Sequence, residues 1–441
     1  MTGTVAALML PSLFGLVFLG VPVAFALLGT AFAFGLMLSG DLVGLQLFRF
    51  IQSVAANYVL VAVALFIFMG AMLERSGVAE QLFRAMRVCL GRLPGGLALA
   101  TIAMCGIFAA GTGIVGAVEV LIGLMAIPPM MAYGYNRQLI AGTICAGGSL
   151  GTMIPPSIVV VIYATQAQIG IGDLLAAVLL PGAVMILLFL AYILGRCLLR
   201  PADGPPLPPD DEAFRMSGLE KALLLLRALV PTLGLVTAVI GSMMLGIASP
   251  TEAAGVGALG TVLLAALYRR LTPAVLVDAL RTTLALNAMI ILIVLGGTMF
   301  TSIFLGNGGS RMVQDFVALL GVEREGVLVL FLALLFLGGL VLDWVSLVLI
   351  LVPIFLPLLR ATGFDAVWMG VLAVIVIQTS YLTPPMAPSI FYLRGVAPAE
   401  ISYGDMCRGV LPFVACQGLT LLAVVLFPML ATWLPSLTRA Y

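Results

Sequence analysis

Histidine is absent from this chain, and lysine occurs once, at Lys221. The first absence removes most zinc and haem ligation and the Ser-His-Asp form of nucleophilic catalysis. Charge of either sign is scarce, at 9% of 441 residues, where soluble domains carry roughly 25%. The net charge is +1, so nothing marks a nucleic-acid surface. Six cysteines (Cys89, Cys105, Cys145, Cys197, Cys407, Cys416) show no CxxC spacing. They read as small buried apolar side chains.

What the chain has is apolar surface: 63% of residues are hydrophobic and the mean hydropathy is +1.24. That makes it an all-α polytopic membrane protein, with apolar runs for about ten to thirteen spans of ~20 residues. The first charge is Asp41 and the first basic residue Arg49. The start therefore reads as membrane helix with a break or turn at Gly20 and Pro22, not as a signal peptide.

Coarse spans are Val5–Leu38, Asn57–Leu73, Gly96–Ala110, a broken stretch Gly111–Met131, Leu139–Gln166 and Leu174–Leu199. Then come Ala222–Gly246, Ala253–Tyr268, Leu284–Leu305, Val327–Leu342, a broken stretch Asp343–Leu359, Ala366–Leu393 and Gly409–Leu434. Between the halves, 200–221 is Pro-rich and acidic and reads as a loop without packed structure. Arg196, Arg200, Arg215, Lys221 and Arg227 flank it and put it in the cytoplasm. Arg75, Arg84, Arg87 and Arg92 mark a second cytoplasmic segment, with Val78, Leu82 and Met86 at helical spacing for an interfacial helix. Thr272-Pro273, as N-cap and N1, begins a similar one.

The motif that organises the chain occurs twice. Gly147-Gly148-Ser149-Leu150-Gly151-Thr152-Met153-Ile154-Pro155-Pro156-Ser157 is the first copy, and Gln378-Thr379-Ser380-Tyr381-Leu382-Thr383-Pro384-Pro385, with Pro388-Ser389, the second. Their prolines are 229 positions apart, and the same offset carries Pro128 onto Pro357, Gly134 onto Gly363 and Asn136 onto Asp365. Two structural repeats follow: 1–199 and 222–441. Each contains a hairpin (about 106–131 and 327–359) and a broken helix (about 139–166 and 366–393).

Proline pairs remove backbone donors and free carbonyls, which lipid tolerates only where they are buried or line a cavity. Paired breaks in two halves point to a transporter's binding site. A hard monovalent cation takes oxygen ligands, here the freed carbonyls with the hydroxyls of Ser149, Thr152, Thr379, Ser380 and Thr383. Half-helix N-termini near Ser157 and Ser389, beyond Pro155-Pro156 and Pro384-Pro385, suit an anionic substrate. The plainer alternative is that the prolines only kink packed spans.

Gly111-Thr112-Gly113 and Asp343 with Ser346 each precede an apolar run of about 15 residues that ends in proline, the length of a re-entrant hairpin. Asp343 is either a cation ligand or the N-cap of the second limb, and the two roles are compatible. Glu119 is the other isolated intramembrane acid: a proton or cation carrier, or a group paired elsewhere. Ser249-Pro250-Thr251-Glu252 has the form of a capping box. Gly134-Tyr135-Asn136 and Gly363-Phe364-Asp365 look like helix connectors. Arg394 either snorkels to the interface or attracts the substrate.

These residues resemble the large membrane subunit of tripartite ATP-independent periplasmic (TRAP) transporters. The resemblance rests on 142–157, Gly111 through Ala117, Ser249 through Ala254, Leu342-Asp343, 378–385 and Phe391-Tyr392-Leu393-Arg394-Gly395-Val396-Ala397-Pro398, and it covers nearly the whole chain. It implies an inverted-repeat elevator fold with two re-entrant hairpins in a bacterial inner membrane. It also implies sodium-coupled import of an organic acid, with monocarboxylates or 2-oxo acids favoured, and no catalysis or cofactor. The implied partners are a small four-helix membrane subunit and a periplasmic binding protein. The chain departs from the pattern at Val376, at Met386-Ala387-Pro388-Ser389 and at Glu119. Two rivals stand beside this one: a lone cation–carboxylate symporter and an intramembrane enzyme such as a protease.

Overall fold

The computed structural model describes residues 2–112, 115–208, 211, 216–385 and 387–438. The first repeat begins with α1 (Thr2–Phe18), α2 (Val23–Ser39), α3 (Leu42–Ala55), α4 (Tyr58–Arg75) and α5 (Val78–Leu90). It continues with α6 (Gly96–Thr112), α7 (Val115–Ala132), α8 (Arg137–Ser149), α9 (Ile158–Ala167), α10 (Ile171–Ala177) and α11 (Leu179–Leu199). The second comprises α12 (Gly218–Met244), α13 (Pro250–Leu267), α14 (Pro273–Gly306), α15 (Gly309–Leu319) and α16 (Arg324–Gly339). It ends with α17 (Trp344–Ala361), α18 (Ala366–Leu382), α19 (Pro388–Arg394), α20 (Tyr403–Leu426) and α21 (Met429–Thr438). Among the described residues no strand forms.

The offset of 229 governs far more than the proline motifs. It carries α4 into α14 and α5 onto α15, and lays α7 end for end on α17. The first residue of α8 falls on the first of α18. Even the connectors agree. Gly134 and Gly363 both hold φ +74, a left-handed value that glycine adopts freely. Asn136 then accepts from the Gln138 and Leu139 amides, and Asp365 from that of Trp368.

The direction of the repeats follows from one ion pair. Arg75, at the end of α4, donates to Asp278 at 2.6 Å and to Thr282 at 3.0 Å, both near the start of α14. The position equivalent to Arg75 is Phe304, 26 residues beyond Asp278, or about 39 Å along the helix. Equivalent ends thus lie on opposite faces of the molecule.

The broken helices form the centre. α8 is buried from Leu139 to Ser149, and α18 is buried along almost all its length. α8 crosses α20 at Gly142 and Gly409, where a Cβ on Gly142 would lie 2.1 Å from the Gly409 carbonyl oxygen. Small residues permit this backbone approach, as in membrane helix pairs generally.

Three expectations change. Seven helices among the described residues are long and apolar enough to cross a membrane, fewer than ten, because many apolar runs are broken into shorter helices. α7 continues through Pro128 and Pro129 to Ala132, and α17 through Pro353 and Pro357 to Ala361. Each proline removes one bond of a ladder whose other bonds hold. Thr272-Pro273 starts no separate interfacial helix but the 34-residue α14, which meets no helix breaker before Gly296. Finally, the loop between halves is packed where described. Asp203 pairs with Arg196, Asp211 with Arg87, and Leu207 is buried beneath the Gly91 carbonyl that its amide reaches.

Candidate functional site

The first break opens where α8 gives way to a 3-10 turn, Leu150–Thr152, before α9 restarts at Ile158. The second lies between Leu382 and Pro388. Both contain a cis Pro-Pro peptide. Five of the hydroxyls that the motif supplies turn their hydrogens back onto the local backbone. Ser149 donates to Ala146 O, Thr152 to Ser149 O, Thr379 to Ile375 O, Ser380 to Ile377 O and Thr383 to Thr379 O, at 2.7–2.8 Å. Their lone pairs therefore point away from the helices, the polarity that a cation needs. Ser157 donates to the Thr152 carbonyl, so it satisfies a freed carbonyl and does not cap α9.

The helices that lead into the two breaks touch. Gln378 Nε2 donates to Ser149 Oγ at 3.3 Å, and these residues are 229 apart, so equivalent positions of the two repeats meet. Gln378 is fully buried, and its Oε1 has no partner among the described residues. A buried acceptor without a donor is costly unless something fills it.

Ile377 and Ser380, which flank Gln378 in α18, help to line a cavity of about 210 Å³. Gly116, Ile158, Val159, Asp343, Trp344, Ser380, Tyr381, Pro388 and Tyr392 line it, drawing on both repeats. Asp343 caps α17, accepting from the Val345 and Ser346 amides at 3.0 and 3.1 Å and from the Ser346 hydroxyl at 2.6 Å. The α17 dipole offsets part of its charge. At the α9 start no side chain caps the amides, and Ile158 and Val159 reach the cavity wall.

The other candidates fall elsewhere. Gly111 packs on α4, where a Cβ would meet Leu73 at 2.3 Å. The Thr112 side chain and Gly113 lie outside the described residues, as does Met386. Ser389 turns to Glu119 and to the Cys145 carbonyl. Arg394 is exposed, its guanidinium 5.9 Å from the Tyr403 ring centre and away from the cavity wall. Ser249 and Glu252 form a full capping box at α13. Sequence reasoning passed over Gln378, Trp344, Tyr381 and Tyr392. The repeat offset held the signal for Gln378, since it pairs that residue with Ser149.

A buried, two-fold-related pair of helix breaks around a small cavity defines a polytopic transporter. The chain matches, over residues 10–430, the family described as the tripartite ATP-independent periplasmic transporter, DctM component, and it belongs to that family. It is 28% identical to the C4-dicarboxylate TRAP transporter large permease DctM of Vibrio cholerae, over 98% of this chain and 97% of that one. It is 30% identical to the isethionate TRAP transporter permease DctMQ of Oleidesulfovibrio alaskensis, over 97% of this chain and 65% of that longer protein. The crystal structure of the Alcanivorax borkumensis YdaH transporter has a similar fold, with a TM-score of 0.59 at 18% identity, covering 89% of this chain and 90% of the other. The chain is thus a TRAP large permease, a multi-pass protein of the bacterial inner membrane.

Proposed function

We propose that this permease carries a small organic acid inward together with sodium, and that the paired helix breaks are where both bind. The meeting of Ser149 with Gln378 at equivalent positions carries this reading, because it sets an orphaned buried acceptor beside the Ser149 hydroxyl, while Ile377 and Ser380, which flank Gln378 in α18, line the cavity. Sodium would take the neutral oxygens of Ser149, Thr152, Ser380 and Gln378. The anion would take the uncapped α9 amides at Ile158 and Val159. Pro388 leaves no such amide at the first position of α19.

Asp343 gives a reason for coupling. A second anion about 4 Å from its carboxylate would be repelled by about 4 kcal/mol at an effective dielectric of 20. A bound cation offsets that repulsion, so anion and cation would favour one another. The α6–α7 and α16–α17 pairs would be the re-entrant hairpins of an elevator-type carrier, moving largely as a rigid body. Substrate would arrive on a periplasmic binding protein. The C4-dicarboxylate and isethionate permeases support an organic acid. The isethionate protein, which extends beyond the region matched here, supports a small membrane subunit as a partner.

The test is uptake into proteoliposomes holding the permease and its small subunit, with labelled organic acids. Uptake is expected to need both the sodium gradient and the binding protein. Full activity by the permease alone would make it a lone symporter.

A further inference from the structure

Glu119 has a place in the fold that sodium coupling does not use. It sits on α7 with no exposed surface, and its Oε1 is 2.7 Å from Ser389 Oγ on α19. The same hydroxyl is 3.3 Å from the Cys145 carbonyl on α8. Oε2 has no partner among the described residues, and no guanidinium or ammonium there pairs with the carboxyl. The titratable groups that face it are Cys105 on α6, Cys145 on α8, Tyr381 at the end of α18 and Tyr392 on α19. All are neutral in their ordinary state and none supplies a positive charge.

Proton counting separates the two forms of the acid. A hydroxyl has one hydrogen, and Ser389 has two acceptors within reach. As a carboxylate, Glu119 would take that hydrogen and leave a bare buried charge, which membrane interiors oppose strongly. As an acid, it donates to Ser389 Oγ, and Ser389 donates to the Cys145 carbonyl. Every hydrogen is used and the charge is gone.

The surroundings are cut to this side chain. A Cβ on Gly148 would lie 2.0 Å from Glu119 Cγ, so the glycine leaves the room that the acid occupies. In the second repeat the equivalent positions hold Val348 and Ile377, an apolar pair. The acid also joins three elements: α7 and α8 of the first half and α19 of the second. One turn before it, Gly116 carries the Tyr392 ring and lines the substrate cavity.

We propose that Glu119 is a proton-binding site of the carrier, occupied in the arrangement seen here and emptied when α7 and α19 part, so that the transport cycle is linked to pH as well as to sodium. This rests on the chain being a transporter, not on the sodium reading. The carboxyl gives its proton to water admitted between the two helices and regains one on closure.

The test begins with infrared spectroscopy of the purified permease in lipid, which needs no substrate. A carboxylic-acid C=O stretch is expected that disappears as pH rises, shifts in Glu119→Asp and is missing in Glu119→Gln. Identical spectra for wild type and Glu119→Gln, or a band that never titrates, would overturn the proposal. Proteoliposome uptake then gives the functional arm, each variant normalised to its own maximum. Glu119→Gln, which keeps a donor to Ser389, is expected to flatten the pH profile, and an unchanged profile would overturn the proposal. Absence of uptake for every acid tried would sink the transport reading while the infrared titration still decided Glu119.

Discussion

Gly148→Ala tests the packing of the centre at a single methyl. The added Cβ would lie 2.0 Å from Glu119 Cγ and 3.0 Å from its Cδ and Oε1. Carbon atoms rest at about 3.5–4.0 Å, so Glu119 must retreat by roughly 1.5–2 Å. Cγ is close to the backbone of α7 and cannot retreat without drawing Oε1 off the Ser389 hydroxyl at 2.7 Å. Overpacking costs about 1–3 kcal/mol, and the lost hydrogen bond about 1 kcal/mol more. The variant should lose about 2–4 kcal/mol. Thermal unfolding of the purified permease in detergent would show it as a lower midpoint. Glu119→Ala removes the obstruction, so the double variant should recover much of the loss, a coupling within the usual 0.5–3 kcal/mol for residues in contact. A Gly148→Ala midpoint equal to wild type, or additive losses in the double variant, would refute the reasoning.

Other predictions concern the ion site and the frame around it. Asp343→Asn should weaken sodium-dependent uptake more than protein abundance, and wild-type uptake in that variant would assign the residue to capping alone. Ser149→Ala and Ser380→Ala should each raise the sodium concentration for half-maximal uptake, an effect absent if the hydroxyls serve only their own helices. Ser249→Ala breaks the α13 capping box and should cost about 1 kcal/mol, seen as a small drop in the unfolding midpoint with sodium activation unchanged. Asp211→Asn should loosen the loop that its carboxylate pins to Arg87 at 2.8 Å, and limited proteolysis would detect faster cleavage between the halves.

Much of this architecture was legible in the sequence because the physics is local. Proline pairs, helix caps at Asn136, Asp365 and Ser249, and a fixed offset need no tertiary information. The rest depends on what lies across from a residue. Thr272-Pro273 has the form of a short interfacial helix's start, but the residues beyond it continue as one 34-residue helix. Asp211 looked solvated until Arg87, 124 residues away, came beside it. Gln378 stood inside a motif already quoted, yet its importance comes from Ser149 in the other repeat. Ser157 and Ser389 were read as lining the anion site. Their hydroxyls instead satisfy Thr152 and Glu119, partners that spacing alone does not reveal.

The central claim is that sodium binds where the two breaks meet. The most direct measurement is equilibrium binding of radioactive sodium to the purified permease, wild type against Gln378→Leu, each shown to be folded by its unfolding transition. The account predicts saturable binding in the wild type and at least a tenfold weaker affinity when the orphaned Oε1 is removed, about 1.4 kcal/mol. Equal sodium affinity in the two folded proteins would contradict it.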